Sequence, residues 1–320
     1  MRVKARLVTG AVIALALAAL PASASAVTAT KHHLDMYKAE QHITLPEYDT
    51  NEYSLSCPNG DIAADGMWRV DEVGPYNAQL ADDDELPWTI ADGVSVLAAY
   101  PVDNSTYKFV FQNNTSETAQ LKIWVTCLGS KTSADTHQHS LNTTPIVGPN
   151  HIAGTNLQAF PHANMCDAND IVISPGFRIN AGTARIVGSY GSSNLRDWTW
   201  KFRVSTPGTS IDVFARCLKN FTGYYGGAPK NHRHKIYAYF TTSPVQHFDK
   251  GNGVYEHQIE CRQDQKGLVG GFDVSGNPSW WWLGMDPRIK TRAFKTFGTS
   301  AGGSYSVICV NDRTSRPFFH

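Results

Sequence analysis

Six cysteines divide this chain into three stretches built to one plan. In each, a histidine pair (His32/His33, His137/His139, His232/His234) precedes a cysteine (Cys57, Cys166, Cys261) by about 24 to 27 residues. About ten residues after that cysteine stands a glycine with a bulky apolar neighbour: Gly66-Met67, Gly176-Phe177 and Gly271-Phe272. A second cysteine (Cys127, Cys217, Cys309) closes the stretch. Self-similarity at a fixed period marks a tandem array and constrains the fold more than any single motif. The recurrence also selects one disulfide pairing among the many that six cysteines allow: Cys57–Cys127, Cys166–Cys217 and Cys261–Cys309. Each bridge closes a long loop and is worth roughly 4 kcal/mol in the chain-entropy picture.

The N-terminus reads as a secretory signal peptide over residues 1–26. Arg2, Lys4 and Arg6 precede an apolar run from Leu7 to Leu20, and Ala24-Ser25-Ala26 supplies the small-x-small cleavage pattern. The run is shorter than the roughly 20 residues a membrane span needs, and no later stretch qualifies. A secreted or periplasmic protein cleaved after Ala26 is therefore expected, a compartment in which paired cysteines oxidise. No C-x-x-C occurs, which argues against redox chemistry and a thiolate zinc site. The 28 basic and 28 acidic side chains balance, and no basic stripe points to nucleic acid.

What remains divides into repeats at 27–130, 131–225 and 226–320, each the size of a small β-domain. Leu121, Ile123, Val125 and Cys127 alternate along one strand face, as do Ile211, Val213, Ala215 and Cys217, and Tyr305, Val307 and Cys309. Upstream candidate strands lie at 107–111, 198–204 and 293–297, separated from the closing strands by polar turn runs, so each repeat is expected to finish in a β-hairpin. The glycine step reads as a bulge or bend. The expected fold is all-β: three tandem immunoglobulin-like or jelly-roll β-sandwich domains, each with one disulfide, joined by short linkers with limited hinge motion. The chain reaches His320 where the earlier repeats would begin their next histidine pair, so the tail is expected to pack on the third domain or to pair with another molecule.

Four features invite a chemical reading. His137/His139 and His232/His234 are spaced two apart, which in a strand places both imidazoles on one face, where a third ligand would complete a zinc or copper site. His32 and His33, being adjacent, break that spacing, and packing at domain junctions is the competing explanation for all three pairs. Trp280, Trp281 and Trp282 offer a stacking platform for a glycan or a protein. The parallel with Trp198 and Trp200 instead assigns Trp280 and Trp282 to the core and turns Trp281 outward. The acidic run 82–85 and the five sequons at Asn104, Asn113, Asn114, Asn142 and Asn220 read as solvated loop and possible glycan acceptors. Gly298-Thr299-Ser300-Ala301-Gly302 matches a nucleophile-elbow pattern but lacks the following helix signal. No phosphate loop or H-E-x-x-H motif occurs, and no cofactor is expected. These features predict an exported, non-catalytic structural, adhesive or assembly protein that self-associates or meets an extracellular protein or glycan. The rivals are a ligand-binding array using the tryptophans and a metal-binding protein using the histidine pairs.

Overall fold

The computed structural model describes residues 31–73, 93–134, 137–148, 150–163, 165–226, 231–251, 254–277, 281–288, 291–297 and 302–319. The signal segment, the acidic run, Trp280 and residues 298–301 of the serine turn fall outside them. Among the described residues all regular structure is β apart from one short 3-10 turn at Pro58–Gly60. The cause is visible in the side-chain pattern. Tyr107, Phe109 and Phe111 are buried while their neighbours are half-buried, and Trp198, Trp200, Phe202 and Val204 repeat that alternation.

Three segments carry the same strand plan. In the first, β1 (Met36–Leu45), β6 (Ala119–Leu128) and β3 (Ile62–Val73) form one half-sheet, and β2 (Thr50–Ser56), β5 (Thr106–Asn113) and β4 (Val94–Pro101) form the other. The second has β7 (Asn150–Ile152), β12 (Ser210–Leu218) and β9 (Ile171–Ala181), then β8 (Asn156–His162), β11 (Trp198–Val204) and β10 (Ala184–Gly191). The third has β14 (Ala238–Thr241), β20 (Ser304–Asn311) and β17 (Gln265–Asp273), then β16 (Val254–Glu260), β19 (Thr291–Phe297) and β18 (Trp281–Pro287), with β15 (Val245–Gly251) added beside β16. Within the first segment the two halves touch, β1 and β6 against β2 and β3 against β4 and β5, as in a sandwich. The bridges close as Cys57–Cys127, Cys166–Cys217 and Cys261–Cys309, with Cα–Cα separations of 5.6, 5.6 and 5.8 Å.

Two expectations need correction. The closing strands do not form hairpins with the strands before them: β5 and β6, β11 and β12, and β19 and β20 lie in different sheets. In the first two segments the polar turn between the pair is an arch from one sheet to the other. In the first segment Asn113 stitches that arch, its Nδ2 donating to the carbonyls of Pro46 (2.9 Å) and Glu117 (2.7 Å) while its Oδ1 accepts the Thr115 amide at 3.0 Å. The physical reason lies in β6, which is buried along its whole length and needs cover on both faces and both edges.

Nor do short linkers with limited hinge motion hold the segments apart. Half-sheets continue across segment boundaries: β3 meets β18 at Arg69↔Gly284, β9 meets β4 at Phe177↔Ala99, and β17 meets β10 at Phe272↔Ser189. Each of the three large sheets is shared by two segments, the third segment closes back on the first, and Lys31–His320 is one compact unit. An isolated half-sheet would leave β3, β9 and β17 with a row of unpaired amides, and these joins satisfy part of that edge. The glycine step stands at two of them. A Cβ on Gly176 would come within 2.5 Å of the Tyr100 Cα, and one on Gly271 within 3.0 Å of the Tyr190 Cα. Only glycine lets the backbones approach this closely, and the following Phe177 and Phe272 fill the core.

Candidate metal centre

The stretches between segments, expected as linkers, build the most unusual chemistry in the molecule. Each closing cysteine is followed five positions later by a threonine: Thr132, Thr222 and Thr314. Each threonine grips one histidine through two bonds. The amides of Thr314, Thr132 and Thr222 donate to the carbonyls of His32, His139 and His234 at 2.9 Å. In return the amides of those histidines donate to the threonine Oγ1 atoms at 3.0, 3.1 and 2.9 Å. The tail of the third segment thus holds the histidine of the first, and the ring closes.

The residue after each threonine fixes the imidazoles. His32 Nδ1 lies 3.1 Å from the Ser133 carbonyl, His139 Nδ1 2.8 Å from the Gly223 carbonyl, and His234 Nδ1 2.8 Å from the Ser315 carbonyl. A carbonyl only accepts, so in each ring Nδ1 carries the proton and Nε2 keeps a lone pair. At Gly223, which stands where the other two segments have serine, a Cβ would displace the Ser140 Oγ, 2.1 Å away. The tail ends in β21 (Pro317–Phe319), which pairs antiparallel with β13 (His232–His234) and so packs on the third segment's own entry strand.

All three Nε2 atoms point inward. His32, His139, His234 and His137 each present one ligand nitrogen, and these nitrogens lie within 4.8 Å of one another. His32, His139 and His234 are buried. The Nε2 atoms of His32 and His234 are buried with no hydrogen-bond partner among the described residues. Leaving such an acceptor unsatisfied costs about 1–3 kcal/mol, so two at one place call for a ligand. Burial pushes His234 down to about 4, against the opposing effect of its bond to Ser315, and it lowers His139 in the same way. Both imidazoles are therefore neutral near pH 7, the form that binds a metal.

His137 and His232 form a second layer above this trio. His137 Nε2 is 3.0 Å from His139 Nε2 and also 3.0 Å from His232 Nε2. Tyr225 packs on His137 with ring centres 4.1 Å apart, and Phe319 lies 5.4 Å from His232. All four histidines picked out by two-residue spacing therefore meet, although the shared face brings each pair to a common centre instead of making separate sites. Sequence reasoning set aside His32 because His33 adjoins it. In the structure the His33 backbone forms a β-bridge with Arg313, and its amide donates to Ser133 Oγ at 2.9 Å. The constant offset from each closing cysteine to Thr132, Thr222 and Thr314 was the signal that would have restored His32 to the set.

Among the described residues, the other candidates do not join this centre. Trp282 stacks on Phe272 with centroids 3.6 Å apart and packs against the core, while Trp281 contributes its backbone to β18. Two sequon asparagines, Asn113 and Asn220, are buried. No protein-family model matches the chain, and the search of curated proteins found no match.

Proposed function

We propose that this is an exported, non-catalytic β-protein that binds one transition-metal ion between its three segments, with His32, His139 and His234 as ligands and His137 closing the shell. The observation that carries the reading is the pair of buried, partnerless Nε2 atoms on His32 and His234, converging with two further imidazole nitrogens. Four imidazoles suit zinc, copper or nickel and are a poor match for magnesium or calcium, which prefer oxygen. The carbonyls of Ser133, Gly223 and Ser315 act as the outer supports that orient ligand rings and raise their basicity. Three disulfides fit an oxidising compartment and hence export. Three sandwich-like units, whose first four strands alternate between the two halves in a jelly-roll manner in the first and second, supply the structural role: the ion locks their ring from inside.

The test is calorimetric titration of chelator-stripped, oxidised protein with zinc chloride. One ion per chain is expected, and His32→Ala or His139→Ala should weaken binding at least 100-fold while the near-ultraviolet dichroism stays unchanged. Unaltered affinity in the doubly substituted His32→Ala/His234→Ala protein would overturn the assignment.

A further inference from the structure

The second histidine layer has a geometry that a single four-ligand site does not require. Two imidazole nitrogens bound to one tetrahedral ion stand roughly 3.3 Å apart, given bonds of about 2.0–2.1 Å. His137 Nε2 meets that spacing, at 3.0 Å, with His139 on one side and with His232 on the other. A neutral imidazole nitrogen has one lone pair or one proton, so it cannot serve both neighbours at once. If it donates its proton to His139, it has none to give His232, and with a metal it ligates one ion only. His137 is thus held between two equivalent partners. His232 is buried, whereas His137 is half-buried under Tyr225.

Resting on the metal reading above, we infer that His137 and His232 form a transfer site through which the ion enters and leaves, His137 passing it from His232 to the inner trio. The ion is captured by His232 and His137, then shared by His137 and His139, and finally held by His32, His139 and His234 with His137 still attached. His137 stays bound throughout, so no step exposes a bare ion to the apolar surroundings. His232 acts on the route and not on the end state, which separates it from the four inner ligands. By microscopic reversibility its loss slows loading and release equally and leaves the equilibrium constant alone.

The experiment follows zinc transfer from a fluorescent zinc indicator to the oxidised full chain by stopped flow, alongside equilibrium titration. For His232→Gln we expect one zinc per chain, affinity within about twofold of the parent, and loading and release both slowed roughly tenfold. His137→Gln should lose affinity as well as speed. His232→Phe, which keeps the contact with Phe319, controls for packing and should behave like the glutamine variant. Loading of both His232 variants at the parental rate would overturn the inference. So would an affinity loss as large as that of His32→Ala, which would make His232 an inner ligand, or a second zinc in the parent that disappears with His232→Gln, which would make the outer pair a storage site. Absence of zinc binding by the parent protein would instead refute the metal reading itself.

Discussion

Asp65 and Arg292 are buried where the first and third segments meet. Arg292 donates to Thr126 Oγ1 at 3.0 Å and to the Gly267 carbonyl at 2.7 Å, while Asp65 Oδ2 accepts the Gly270 amide at 2.8 Å. Burial nevertheless raises Asp65 from 3.8 to about 7, outweighing Arg292 and that amide. The folded state therefore prefers the protonated acid. Its stabilising contribution is complete below pH 3.8, declines as pH rises, and is gone above about pH 7. His257 acts in the opposite sense. Burial lowers it to about 4, so its contribution is present above pH 6.5 and lost as pH falls through 4. Comparing the parent with Asp65→Asn cancels the histidine effect, which both proteins share. The parent's advantage in unfolding free energy should shrink by up to about 4 kcal/mol between pH 4 and pH 8. Urea denaturation at those two pH values measures it, and a constant difference would show that Asp65 titrates as an ordinary carboxylate.

At the scale of elements, the strands themselves were legible because alternation of apolar side chains is a local property. The closing strands, the strand runs before them and the cysteine positions all follow from it. Their partners were not legible. A turn such as 113–118 looks like a hairpin loop in sequence whether its strands pair or arch between sheets, and the choice depends on how much burial β6 requires. The disulfides bear on the same elements. Cys166 precedes β9 and Cys217 stands one residue before the end of β12, a loop of 51 residues. Replacing both with alanine should lower stability by about 4 kcal/mol, the entropy regained by the unfolded chain. A shift in the urea midpoint measures this, and an unchanged midpoint would show that the bridge adds nothing to a ring already closed by strand pairing.

For the whole molecule, shared sheets make the three segments one cooperative unit. Differential scanning calorimetry should show a single transition whose calorimetric and van't Hoff enthalpies agree. A fragment spanning 131–225 should remain unfolded by near-ultraviolet dichroism, because β9 and β10 lose their partners β4 and β17. Separate transitions, or a folded fragment, would mean that each segment is stable alone and the joins are secondary.

The sequence by itself determined the all-β character and the cysteine pairing, because periodicity and recurrence are written along the chain. It also marked four of the five clustered histidines. Only the tertiary structure decided that the plan closes into a ring and that one histidine from each segment points to a common centre. His32 and His234 lie 202 positions apart in the chain, yet their rings stand 4.7 Å apart. What brings them together is the demand of buried strand edges and backbone groups for partners, and no local pattern records which distant segment will meet that demand.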